Sequence, residues 1–261
     1  MQPYTVVCSV TDFYRSRQSL IVLRLVFATL SAATALATAG FISQVFSGEV
    51  HAKQYPAVLS ALICGIAAYH YSEIIKVRTS AVAATPQSEF EIDVLRYSDW
   101  AITLPLLTTH LHSMVDSSDH QLIWGSVGYS AVAAFVVIAL GAFVRLGLGD
   151  LKQIEDEEQV VRLRIVAAVC FFVSCLILLV LLIDLFIIFG NAKASFTVFS
   201  FFGIWPLYGV VASIPLFYTS KQGFAQGDAT LRDVCFGLLD VYAKGFLTFH
   251  TILPIYGQVF L

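Results

Sequence analysis

The sequence predicts an all-α membrane protein, a bundle of seven transmembrane helices, and three observations carry that prediction. The chain is 58% hydrophobic. Only 13% of its residues are charged, against about 25% in an average soluble domain. Its apolar residues gather into seven runs, 20–43, 55–75, 94–115, 121–145, 160–189, 195–219 and 231–257, each long enough to cross the hydrocarbon core. In lipid only helices or closed barrels satisfy every backbone N–H and C=O, and these runs lack the alternation of barrel strands. No gap between runs has room for a soluble domain, so residues 1–261 read as one domain.

The elements follow in order. Span one comes after a leading segment that ends in Arg15 and Arg17 and has no apolar core of signal-peptide length. The span is therefore expected to remain in the mature protein as its own targeting signal. A short polar link at 47–54 leads to span two, and 78–91, with Pro86, leads to span three. Residues 116–120 separate spans three and four. The acidic stretch 149–158, with Glu155, Asp156, Glu157 and Glu158, follows span four and reads as a solvated face. Links at 190–194 and 218–230 close the series.

Composition also excludes functions. A net charge of −3 without a basic stretch argues against nucleic-acid binding, and an apolar exterior excludes a soluble enzyme. No P-loop, zincin or Gly-x-Ser-x-Gly pattern lies on a suitable element, so an enzyme in the turnover sense is not expected. Five cysteines make an odd count; Cys64, Cys170, Cys175 and Cys235 lie within spans and suit packing better than a disulfide framework.

Ionisable groups inside spans are costly in lipid and need a partner or a use. Span two holds His70 and, near its end, Glu73; span three holds Arg96, Asp99 and His110; span five holds Asp184; span seven holds Asp240 and Lys244. Lys244 lies far from either end of its span, too deep to snorkel to water. A lysine removed from water is a nucleophile toward carbonyls and gives a Schiff base. Asp240 lies one turn earlier on the same face. On this segment alone, a structural Lys–Asp ion pair and a reactive amine stand level.

Span three tips the balance. At about 100° per residue, Asp99, Thr103 and His110 fall within roughly 40° of one another, with Arg96 about 60° away. At about 1.5 Å per residue the stripe runs some 16 Å, half the hydrocarbon thickness. A base, a hydroxyl and a second titratable group in file suit a proton path better than a packing seam. Pro105 within the stripe also releases a backbone carbonyl. At the end of this span His110, His112, Asp116, Asp119 and His120 crowd together, but His110 and His112 point about 160° apart, so no metal site is expected. Asp184 reads as a helix-end residue wetted by headgroups.

The segment Arg96-Tyr97-x-Asp99-Trp100-x-x-Thr103-x-Pro105-Leu106 resembles the third-helix signature of microbial (type 1) rhodopsins. Leu239-Asp240-Val241-x-Ala243-Lys244 resembles their retinal-attachment motif, and Ala68-Tyr69-His70-Tyr71 resembles the His-Tyr pair of proteorhodopsins. The resemblance implies all-trans retinal on Lys244 as a protonated Schiff base, with Asp99 as counterion and proton acceptor and Asp240 as second counterion. It further implies that Arg96 gates the path toward the release side, that Thr103 hydrogen-bonds Asp99, and that His70 pairs with Asp99. Tyr97 and Trp100 belong to the implied retinal pocket, and Leu107 is the implied colour-tuning position, leucine giving green absorption. In span six, Phe202-x-x-Trp205-Pro206 resembles the family's Trp-x-x-Tyr-Pro with both aromatics altered; this register requires an insertion in the last loop.

The function the resemblance implies is a light-driven ion transporter, foremost an outward proton pump. A photosensor with a slow cycle and a light-gated channel are the alternatives; no transducer or signalling domain is expected within these 261 residues, and the polar stripe lacks a channel's acidic rings. His110 stands where many pumps carry a carboxylate donor. Histidine shuttles protons near neutral pH, so two readings stand: a donor, or a neutral hydrogen-bonded residue with water supplying the proton. The spacing of a paired acidic release group lands on Arg232 and Gln222, leaving Glu73 or Asp233 as weak substitutes. The implied partners are retinal, membrane lipid, protons and further copies in a trimer or pentamer. The implied location is a cell membrane, multi-pass, with the N-terminus outside. Loop charge argues the other way, since Arg15, Arg17, Lys76, Arg78, Lys152, Arg162, Lys221 and Arg232 share the N-terminal side.

Overall fold

The structure is a computed structural model, and it describes residues 10–48, 51–80, 86–114, 124–147, 157–189, 203–211 and 226–252. These residues form a seven-helix bundle. Helix α1 is Val10–Phe46, α2 is His51–Ser80 and α3 is Pro86–Met114. Helix α4 is Trp124–Ala142, continued by a π-helical turn, Phe143–Gly147. Helix α5 is Glu157–Phe189, α6 covers 203–211, and α7 is Gln226–Asp240. A π-helical turn at Val241–Phe246 carries α7 on into a final α-helical stretch to residue 252.

The helices outrun several of the apolar runs. Helix α3 begins eight residues before the run predicted at 94, because Pro86 occupies the first helical position, where its fixed φ and missing N–H cost nothing. Helices α1, α2, α4 and α5 carry windows long and apolar enough to span a membrane; α3 and α7 carry the charges instead. Lipid-facing side chains are large and apolar, as at Ile165, Phe172 and Ile187 on α5. Hydrophobicity cannot hold helices together in lipid, so close packing of small residues matters. Gly237 on α7 shows this: a Cβ there would stand 2.9 Å from Val26 Cγ2 of α1, so any larger residue would require Val26 to shift.

Helix α1 packs beside α2 and α7, α2 beside α3, α3 beside α4, and α4 beside α5. Helix α6 closes the ring through Trp205, which shares a core cluster with Leu181, Leu182 and Leu185 of α5 and Leu247 beyond the π turn. A second cluster joins Leu23, Val26 and Leu30 of α1 to Cys64, Ala67 and Tyr71 of α2 and Ile92 of α3. His70, Arg96, Asp99, His110, Asp240 and Lys244 are all buried among these helices, whereas Glu73 lies on a partly exposed face.

Candidate functional site

Lys244 sits within the π-helical turn of α7 and is 4% exposed. Its Nζ lies 2.5 Å from Asp99 Oδ2 on α3 and 3.2 Å from Asp240 Oδ1 on its own helix. One ammonium is thus held between two buried carboxylates. The carboxylates are not equivalent. Asp240 Oδ1 accepts from the Tyr208 hydroxyl and Oδ2 from the Tyr71 hydroxyl, each at 2.7 Å. Asp99 Oδ1 has no hydrogen-bond partner among the described residues.

Two contacts implied for Asp99 take another form. Thr103 Oγ1 donates to the backbone carbonyl of Asp99 at 2.9 Å, one turn back along α3, and not to the carboxylate. His70 Nδ1 stands 4.0 Å from Asp99 Oδ1, beyond hydrogen-bond reach, because it donates to the Ile66 carbonyl at 2.9 Å. Arg96 points away from Asp99 altogether: its guanidinium pairs with Asp233 of α7 and lies 5.3 Å over the Phe236 ring.

Aromatic side chains wall the space beside Lys244. Trp100 meets Tyr97, Tyr208 and Phe236 edge-on at ring distances of 5.3, 5.5 and 4.8 Å. Edge-to-face contact of this kind fixes ring planes. Trp205 is buried in the same core cluster as Leu107, while Pro206 faces outward. Phe202 lies outside the described residues. Tyr208, one turn after Trp205 on α6, brings its hydroxyl to Asp240, a contact that the motif Phe202-x-x-Trp205-Pro206 does not include. Tyr71 went unassigned because it was read only as a neighbour of His70.

Beyond Lys244 toward the C-terminus of α7 the polar groups around the helix are hydroxyls, a thiol and the imidazole of His110. The Lys244 carbonyl accepts from Thr248 Oγ1 at 2.9 Å, and Cys64 Sγ lies 3.1 Å from the same hydroxyl. His110 is fully buried, with Nε2 3.2 Å from Thr251 Oγ1 and 3.5 Å from Ser60 Oγ. His112 turns the other way and meets Ser130 of α4 at 3.1 Å. Asp116, Asp119 and His120 lie outside the described residues.

On the opposite side of Lys244 the polar groups are charged. Asp233 accepts from Ser19 at 2.9 Å and from Arg78 at 2.8 Å, besides pairing with Arg96. Asp93 meets Arg145 at 2.7 Å, Arg232 at 3.2 Å and Arg96 at 3.6 Å. Glu89 meets Arg232 at 3.0 Å and Arg78 through both terminal nitrogens. Four guanidiniums and three carboxylates from α2, α3, the end of α4 and α7 thus form one lattice. Sequence reasoning missed it, taking Arg78 and Arg232 as loop charges. The signal was present in Glu89, Asp93 and Arg96, which share one face of α3 at spacings of four and three. Glu73, the other candidate release group, is tied to Lys76 at 2.6 Å on a partly exposed face.

Solved structures share this fold. Xanthorhodopsin, a light-driven ion pump with dual chromophore, is 22% identical with a TM-score of 0.64, covering 90% of this chain and 92% of its own. The proton-pumping rhodopsin AR2 from the marine alga Acetabularia acetabulum is 20% identical with a TM-score of 0.60, covering 93% and 96%. Blue light-absorbing proteorhodopsin from Med12 is 19% identical with a TM-score of 0.60, covering 93% and 98%. No curated protein matches the chain. The family model described as bacteriorhodopsin-like protein matches residues 22–253, most of the sequence and both ends of the site, and the chain belongs to that family of microbial rhodopsins.

Proposed function

We propose that the protein is a light-driven outward proton pump with all-trans retinal bound through Lys244. One observation carries the reading: a single buried ammonium lies between two carboxylates of unequal surroundings, with a polar file on each side. The residues fit the group, offering a buried primary amine, a cage of Trp100, Tyr208 and Phe236, and an acceptor oxygen on Asp99 that no described residue fills. Retinal, when bound, supplies the light absorption and the change of shape that starts the cycle.

The remaining work falls to the chain. Asp99 Oδ2 is within direct transfer distance of the Lys244 nitrogen and takes its proton. Asp240 takes no part in this transfer, because both its oxygens are already occupied by tyrosine hydroxyls. His110 returns a proton to the Lys244 nitrogen through the Thr251, Thr248 and Ser60 side, a path of about 10 Å along α7 that needs bridging water. Arg96 and its lattice face the release side. In this reading the whole chain is one domain in a cell membrane, with its N-terminus outside and in contact with further copies of itself.

The test is the pH of an illuminated suspension of cells expressing the protein with retinal. Acidification that a protonophore abolishes is the expected result. Alkalinisation would reverse the direction, and an unchanged pH would overturn the pump.

A further inference from the structure

Arg96 and Asp99 sit three residues apart on α3, close enough for the guanidinium to reach the carboxylate along its own helix. Each has an unmet half. Asp99 Oδ1 has no hydrogen-bond partner among the described residues, and neither do Nε and Nη1 of Arg96, although both side chains are at most 3% exposed. Opposite charges with open hydrogen-bonding positions, one turn apart in a buried site, ought to meet. They do not, because Asp233 pulls the guanidinium the other way.

Asp233 is itself fixed. It is fully buried and held from three other helices: Ser19 of α1, Arg78 of α2 and Arg96 of α3. Arg78 is anchored in turn by Glu89, which Arg232 also holds. Asp93, the second carboxylate near Arg96, is 3.6 Å from it and already engaged by Arg145 and Arg232, so it is a poor competitor. Phe236, beneath the guanidinium, favours the same placement. The fixed carboxylate on α7 therefore decides where the guanidinium on α3 rests.

We infer that Asp233 is a positioning residue that latches Arg96 away from Asp99, leaving the full negative charge of Asp99 to the Lys244 nitrogen. The inference rests on retinal being bound at Lys244, since its readout is the pigment's colour. Its physical content is simple. A guanidinium that moves onto Asp99 draws the carboxylate's charge away from the nitrogen, and the visible band moves to longer wavelength.

The experiment compares absorption maxima of pigments reconstituted with all-trans retinal. Asp233→Asn is expected to shift the band to longer wavelength; in an Arg96→Gln background the same change leaves the band where Arg96→Gln alone puts it. Because Asp233→Asn leaves Arg78 and Arg96 with less compensation, the pair Arg78→Gln with Asp233→Asn is read alongside. It removes one charge of each sign and keeps the lattice's net charge. The paired variant is expected to shift the band only when Arg96 is present. Equal shifts with and without Arg96 would mean that Asp233 acts through its own field, and no shift with Arg96 present would mean that it holds nothing; either overturns the latch. A wild-type chain that forms no visible band overturns the retinal reading and the latch together, whereas a normal wild-type band with those variant results overturns the latch alone.

Discussion

Exchanging each of the two carboxylates at Lys244 for its amide separates their roles. Lys244 Nζ is 2.5 Å from Asp99 and 3.2 Å from Asp240, and in the pigment that nitrogen carries the positive charge. At an effective dielectric of about 20, unit charges at those distances attract by about 7 and about 5 kcal/mol respectively. Excitation moves only part of the charge off the nitrogen, so the optical gap feels a fraction of each figure. The difference between the two is widened by the tyrosines, because Asp240 spreads its charge over two hydroxyls at 2.7 Å and Asp99 does not. Asp99→Asn is therefore expected to give the larger shift to long wavelength and to stop transport. Asp240→Asn gives a smaller shift. The assays are the absorption spectrum of purified pigment and light-induced pH change in cells. A larger shift in Asp240→Asn, or unchanged colour and pumping in Asp99→Asn, would refute the assignment of Asp99 as the main counterion.

Further outcomes follow from the same geometry. Lys244→Ala should abolish the visible band, and a retained band on adding retinal would end the assignment of its attachment. Tyr208→Phe removes a hydrogen bond to a charged carboxylate worth about 1.5–3 kcal/mol and should lower the pigment's thermal stability. Tyr71→Phe should do the same, and a thermal melt followed in the visible band measures both. His110→Ala should slow reprotonation of the Lys244 nitrogen in flash photolysis, with partial rescue by azide; identical decays would make His110 structural. Leu107, buried in the core cluster of Trp205, should give a green-absorbing wild type, and Leu107→Gln should move the spectrum to shorter wavelength.

Much of the bundle was legible because lipid imposes a strong rule: each span must be long, apolar and helical. The same rule exposed Lys244, Asp99 and Asp240, since charges inside such spans stand out. It failed where a polar residue belongs to a helix that composition already accepts. Tyr71 and Tyr208 are ordinary residues of apolar runs, and only the position of Asp240 between α2 and α6 turns their hydroxyls into ligands. On α6 the conspicuous proline, Pro206, faces outward, while the unmarked Tyr208 reaches the site. Helix ends were misjudged because α3 and α7 continue beyond the apolar run on charged turns whose charges are paired inside the bundle. Glu89, Asp93 and Arg232 look like loop residues until four helix ends are brought together.

That difference between the two ends of the bundle bears on how access to Lys244 switches. The pump proposed above must open the nitrogen to one side after release and to the other before uptake, so in that reading one end has to yield. On the lattice side, parting Asp233 from Arg78 and Arg96, or Asp93 from Arg145 and Arg232, strands buried charges, and breaking a single buried pair costs about 3–5 kcal/mol. On the His110 side the links of His110 to Ser60 and Thr251, and of Cys64 to Thr248, involve no carboxylate or guanidinium; such hydrogen bonds are worth about 0.5–1.5 kcal/mol each, and water replaces them readily. The π-helical turn at Val241–Phe246 lies where the two regimes meet, with Lys244 inside it. Movement of the last turns of α7 against α2 and α3 therefore costs far less than movement of its first turns. Hydrogen exchange under illumination should gain most around Thr248 and Thr251 and least around Asp233. If the amides near Asp233 exchange fastest instead, the lattice is the gate and the His110 side is the fixed wall.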